Sequence, residues 1–146
     1  MGARRVEFVN LAKARVEAVP AAVRLAAFHY HNGRRVLILA RDQQEAQEVD
    51  QALWTLDAAS FIPHALAGGP DQEQEPVLIS LESRNVNQAR VAILTHPPEQ
   101  PPLDEFPHLV QLVPAQEGPE LKACREFYRQ LQKQGNVELI HTTRLP

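Results

Sequence analysis

The chain has 146 residues, 44% hydrophobic and 23% charged, the size and balance of one globular domain that can bury a core without staples. Its formal charge of -3 at pH 7 excludes a protein that coats nucleic acid through many phosphate contacts, while leaving room for a local basic patch. No apolar run nears the ~18 residues of a membrane span, the start lacks an unbroken signal core, and the one cysteine, Cys124, makes neither an internal disulfide nor a zinc pattern, so a cytoplasmic protein is expected.

RRVEFVNL, residues 4–11, reads as a first strand with Val6, Phe8 and Asn10 on one face. The next segment, NLAKARVEAVP, is a turn without glycine. AVPAAVRLAAFHYHNG then reads as a helix: Pro20 suits its first turn, Val23, Ala26, Ala27 and Tyr30 recur at helical spacing, and Gly33 stops it. RRVLILA follows as a short strand buried on both faces. In DQQEAQEVDQALW, Asp42 and Glu45 form a capping-box-like start, and Ala46, Val49 and Leu53 make the inner stripe of a helix. Two strand–helix alternations in a row point to an α/β sheet with parallel neighbours.

Phe61, Ile62 and Pro63 read as a turn-like segment, and AGGPDQEQEP as an exposed loop. PVLISL, RVAILTH and HLVQLV are further strands. The prolines of HPPEQPPLDEFPH exclude a long helix and leave an extended loop. A last helix runs from about Pro119 to Gln134, where Gly135 ends it, and VELIHTT alternates as a final edge strand.

An α/β domain invites a nucleotide-enzyme reading, which needs a phosphate-binding turn. The turn after the first strand has no glycine, no Gly-rich run ends in Lys-Ser or Lys-Thr, and acidic residues follow the only glycine pair. The six histidines are scattered. Those of HYH, residues 29–31, stand two apart and cannot share one helix face, so surface or hydrogen-bonded histidines are expected rather than a metal pair. Cys124 falls on the inner face of the last helix as a structural thiol. Ser60 and His64 stand four apart with no orienting acid evident. No catalytic residue, cofactor or metal site is expected.

Two surfaces stand out. On the last helix, Lys122, Arg125, Arg129 and Lys133 fall within an arc of roughly 80°, opposite Leu121, Cys124, Phe127, Tyr128 and Leu131. This is either a solvated charged face, with Glu126 pairing Lys122 or Arg129, or an anion-binding face with an aromatic edge. Like charges at i,i+4 cost about 0.2–0.5 kcal/mol per pair in an isolated helix, and one glutamate does not offset both such pairs. An acidic peptide with a hydrophobic end suits such a face better than a nucleic-acid strand, because only one stacking aromatic is present. The second surface holds Trp54, Phe61 and Pro63, which either close the edge of the core or form a contact patch.

NGRRVLILARDQQEAQEVDQALWTLDAASFIPHALAGG closely resembles the signature region of the chi subunit family of bacterial DNA polymerase III. The resembling features are a Gly-basic-basic-Val-Leu-Ile strand, an acidic helix ending Asp-x-Ala-Leu-Trp, and Ser-Phe-aliphatic-Pro-His-x-Leu-Ala-Gly. The resemblance implies one Rossmann-like, three-layer α/β domain over residues 1–146 with a mostly parallel sheet. It also implies a non-catalytic member of the clamp-loader assembly that binds the C-terminal tail of single-stranded DNA-binding protein and so meets single-stranded DNA indirectly. By position, the tail-binding face would include Arg125, Tyr128 and Arg129 with Lys122 and Val113 nearby, and Lys133 lies close to another basic position of the family. Trp54, Phe61 and Pro63 would face the psi subunit or a helicase. Two departures stand against the family pattern: the proline-rich loop replaces a frequent helix, and the segment before the last helix is longer and carries Pro119. A nucleotide-using enzyme and a direct single-strand binder through the basic helix are the alternatives from other classes.

Overall fold

A computed structural model describes residues 4–56 and 61–146. Seven strands form one sheet: β1 (Arg4–Asn10), β2 (Val36–Leu39), β3 (His64–Leu66), β4 (Val77–Ser80), β5 (Val91–Leu94), β6 (His108–Val113) and β7 (Val137–Thr142). Their order is β3-β4-β2-β5-β6-β1-β7, and every ladder is parallel. β2, β4 and β5 are buried along their whole length, as expected of parallel strands covered on both faces. The expected α/β fold is thus present, and the sheet is parallel throughout rather than mostly so. VELIHTT is indeed an edge strand. HAL, at the other edge, is a short strand between the turn-like segment and the exposed loop read from the sequence, where no strand was expected.

Four helices accompany the sheet: α1 (Leu11–Ala14), α2 (Ala18–His31), α3 (Gln43–Thr55) and α4 (Pro119–Gln134). α2 and α3 cover one face through the expected stripes, Val23, Ala26 and Ala27 on α2 and Ala46, Val49 and Leu53 on α3. The Asp42 side chain accepts from the Glu45 amide at 2.8 Å, so the cap read from the sequence starts α3. α4 covers the other face with Cys124, Phe127 and Leu131, and Gly135 closes it at φ 74°, donating to the Leu131 carbonyl at 3.3 Å.

The third layer is only partly helical. Beside α4, the opposite face is covered by the connections β4–β5 and β5–β6, which contribute Val86, Ala89, Leu103 and Phe106 to that core. Asn85 holds the two connections together, donating to the Ala89 and Glu105 carbonyls at 2.9 and 3.0 Å. Proline forbids a helix between β5 and β6, but an extended segment that buries Phe106 fills the space.

Candidate functional site

β1 and β6 lie side by side, with Asn10 opposite Val113 as the last pair of the ladder. From this point the chain leaves β1 toward α2, on one face, and leaves β6 toward α4, on the other. Ligands of open α/β sheets bind in the crevice that such divergence opens beyond the strand ends. A groove of about 620 Å³ occupies this place, lined by Phe8, Val113, Arg125, Tyr128 and Arg129 among others.

One wall is α4. Its core side chains fix its rotation, so Arg125 and Arg129 project beside the groove while Tyr128 sits at the border. The Tyr128 ring meets Phe8 edge-on at 5.4 Å, and its hydroxyl lies 3.1 Å from His141 Nε2 on β7. At the start of α4, Arg41 clamps Glu120 with two guanidinium contacts, one of them 3.2 Å long. That clamp ties α4 to the end of β2, and the Arg41 hydrogen bond holds the Glu120 carboxyl below its ordinary range.

The opposite wall comes from α1, a single turn after β1. The Asn10 side chain accepts from the Lys13 amide at 2.9 Å, and Arg15, left-handed at φ 55°, ends the turn. Lys13 thereby joins Arg125 and Arg129 around the groove, and among the described residues no carboxylate lines it. Nearby acids are external: Glu117 lies 3.4 Å from Arg125 and Glu126 3.2 Å from Arg129, both in exposed pairs. Such pairs contribute about 0–1 kcal/mol and yield readily to a better partner.

Of the residues singled out in the sequence, Arg125, Tyr128, Arg129 and Val113 meet at this groove, while Lys122 and Lys133 sit exposed on α4 outside its lining. Lys13, Gln132, His141 and Thr143 also line it and were not singled out. For the first of them the sequence holds one signal, a capping residue type, Asn10, three positions before Lys13. Cys124 touches the groove but is buried, with its thiol 3.9 Å from the Leu112 carbonyl; burial and then the Glu120 charge push its pKa up to about 12. It remains a protonated thiol. No group of three or more His, Cys, Asp or Glu that could hold a metal occurs among the described residues.

Trp54 and Phe61 do not close the core. They are 53% and 66% exposed, with rings 5.6 Å apart, and Pro63 is half-buried beside them. His64 supports Trp54 from below, ring to ring at 4.6 Å, while its Nδ1 lies 2.8 Å from the Ile62 carbonyl. Its Nε2 approaches Asp50 at 3.2 Å without hydrogen-bond alignment, an acid not evident in the sequence. Ser60 lies outside the described residues. In the HYH segment, His29 is buried and accepts from Arg34 at 2.9 Å, whereas His31 is exposed, so the two do not form a metal pair.

The family model described as DNA polymerase III chi subunit, HolC, matches residues 3–138. The DNA polymerase III subunit chi of Haemophilus influenzae is 33% identical over 115 residues, 78% of this chain and 79% of that protein. The Escherichia coli DNA polymerase III subunit chi is 35% identical over 71 residues, 49% of this chain and 48% of that protein.

Proposed function

This chain belongs to the DNA polymerase III chi subunit family, and we propose that it is a non-catalytic adaptor that binds the acidic C-terminal tail of single-stranded DNA-binding protein and links it to the clamp loader. An accessory role in DNA replication, within the DNA polymerase III complex, follows from the family itself. The finer reading is supported by one observation above others: Arg125, Tyr128, Arg129 and Val113 converge on a single groove whose lining carries cations and no carboxylate among the described residues.

The tail expected here is acidic and ends in phenylalanine with a free carboxylate. Its ring enters the apolar notch between Phe8, Val113 and Tyr128. Arg125 exchanges exposed Glu117 for the terminal carboxylate in a bidentate pair, the stronger of the two contacts. Arg129, Lys122 and Lys133 attract the acidic residues upstream. A partner with several tails raises their effective concentration, so modest affinity per tail suffices.

Trp54, Phe61 and Pro63 suit a second protein partner, the psi subunit or a helicase, because exposed paired aromatics are typical of interface hot spots. The adaptor works in the cytoplasm. Fluorescence anisotropy with an acidic peptide ending in Pro-Phe tests the groove. The wild type binds, and both Arg125→Ala and amidation of the peptide weaken binding about tenfold or more, by loss of a charge-assisted pair. Equal binding in the three cases sinks the reading.

A further inference from the structure

We propose that the protein has a second anion site, a cleft on the α2 face of the sheet that takes the phosphates of single-stranded nucleic acid. On the α2 face, β1 and β7 present the polar Arg5, Glu7, Glu138 and Thr142 beside the apolar Val9 and Ile140. Arg5 pairs with Glu138 across the ladder, and Glu7 lies opposite Ile140. The chain then turns back along this edge: Leu145 packs on the α2 core and Arg24 donates to the Pro146 carbonyl at 3.2 Å. Between this return and α2 lies a cleft of about 880 Å³, lined by Arg5, Arg34 and Arg90 near the N-terminal ends of β1, β2 and β5 and by Arg144 just after β7.

Its acids are already engaged. Glu7 accepts from Thr142 at 2.5 Å and lies 3.2 Å from His108, and Glu138 is paired with Arg5 at 3.0 Å. Three guanidinium groups have no carboxylate partner among the described residues. Arg34 spends only Nε, on His29, which leaves its two terminal nitrogens for a ligand, while Arg90 and Arg144 are exposed. A cleft with three such groups in a chain of charge -3 is an attractive site for an anion. The planar forks of arginine match phosphate oxygens in pairs.

Phe28 decides between anions. It lines the cleft at 41% exposure with the Arg34 guanidinium 5.7 Å from its centroid, an arrangement in which a base can stack while its phosphates reach the arginines. This site lies on the face opposite α4 and shares only Thr142 with the lining of the tail groove.

Anisotropy of a labelled oligothymidylate with the full chain provides the test, at several salt concentrations. The wild type binds at low salt with a log–log slope of about -2, as expected for three phosphate contacts at about -0.7 each. Arg90→Ala with Arg144→Ala, both exposed positions, weakens binding roughly tenfold and reduces the slope to about -0.7, the value for the one contact that remains. Phe28→Ala lowers affinity without changing the slope. Arg125→Ala with Arg129→Ala leaves oligonucleotide binding intact. Absence of binding at low salt overturns the proposal, as does loss through the α4 variant alone. Equal binding of an acidic peptide at the same arginines overturns it too, because the cleft then serves proteins rather than phosphates.

Discussion

The ring of Tyr128 meets that of Phe8 edge-on, their centroids 5.4 Å apart and their planes at 83°. One side chain thus serves both the core and the groove, since Phe8 is buried in β1 while Tyr128 keeps its hydroxyl on His141. Tyr128→Phe removes only the hydroxyl contact and should leave stability and peptide affinity within a factor of about three. Tyr128→Ala removes the aromatic pair, costs about 1–2 kcal/mol in urea unfolding, and lowers peptide affinity about tenfold. Unchanged affinity in Tyr128→Ala, with the fold intact by circular dichroism, would show that the tail does not use this notch.

Lys13 should contribute by charge alone, because its position is set by the Asn10 cap rather than by packing. Lys13→Glu is expected to weaken the acidic peptide roughly three- to tenfold at low salt and little at high salt, with stability unchanged. Titration at two salt concentrations separates this from a folding defect. An effect independent of salt would argue against an electrostatic wall.

Acid should destabilise the protein above the range where most carboxylates titrate. Burial first, then the charges of Arg34 and His108, push the His29 pKa down to about 4, whereas an unfolded histidine titrates near 6.5. Below pH 6.5 the unfolded chain binds more protons, so stability falls with decreasing pH until His29 itself protonates near 4. The loss over that window is about 3 kcal/mol from His29 at most, and His96, lowered chiefly by burial, acts in the same direction. Glu7 is different. Burial would raise its carboxyl, but hydrogen bonds from His108 and Thr142 prevail, and its contribution disappears only below its ordinary value of 4.5. Urea melts at pH 7, 5.5 and 4 measure the profile, which His29→Asn should flatten between 6.5 and 4.

Cys124 should be nearly inert in the native protein. Its thiol is 2% exposed and its pKa is raised to about 12, so reaction with Ellman's reagent is slow until urea opens the fold. Fast labelling of native protein would mean that α4 separates from the sheet far more often than its packing suggests.

These expectations drew unequally on the sequence. The stripes of α2 and α3 and the amphipathic α4 were legible because a helix buries one side and repeats that choice every three or four residues. The three-residue strand β3 was not, since so short a segment has no measurable period and takes its identity from pairing with β4. The groove was half legible. Arg125, Tyr128 and Arg129 come from one helix and share a face in the sequence itself. Lys13 and His141 reach them only because β1 pairs with both β6 and β7, a relationship between residues more than a hundred positions apart. The exposure of Trp54 was open for a similar reason: whether an aromatic at a helix end is covered depends on the segment that follows.

β1 also sets a timetable for folding. It lies between β6 and β7, so it has no partner in the sheet until residues 108–113 exist and gains its second only with residues 137–142. During synthesis its Val6, Phe8 and Val9 must wait, while β2, β4 and β5 can already assemble under α2 and α3. Such distant pairings close slowly because a long loop must be ordered before any contact rewards it. The late step is also the one that builds the tail groove, since Asn10, Val113 and Thr142 come together only when β1 is inserted. A newly made chain would therefore complete this groove only with its last structural event.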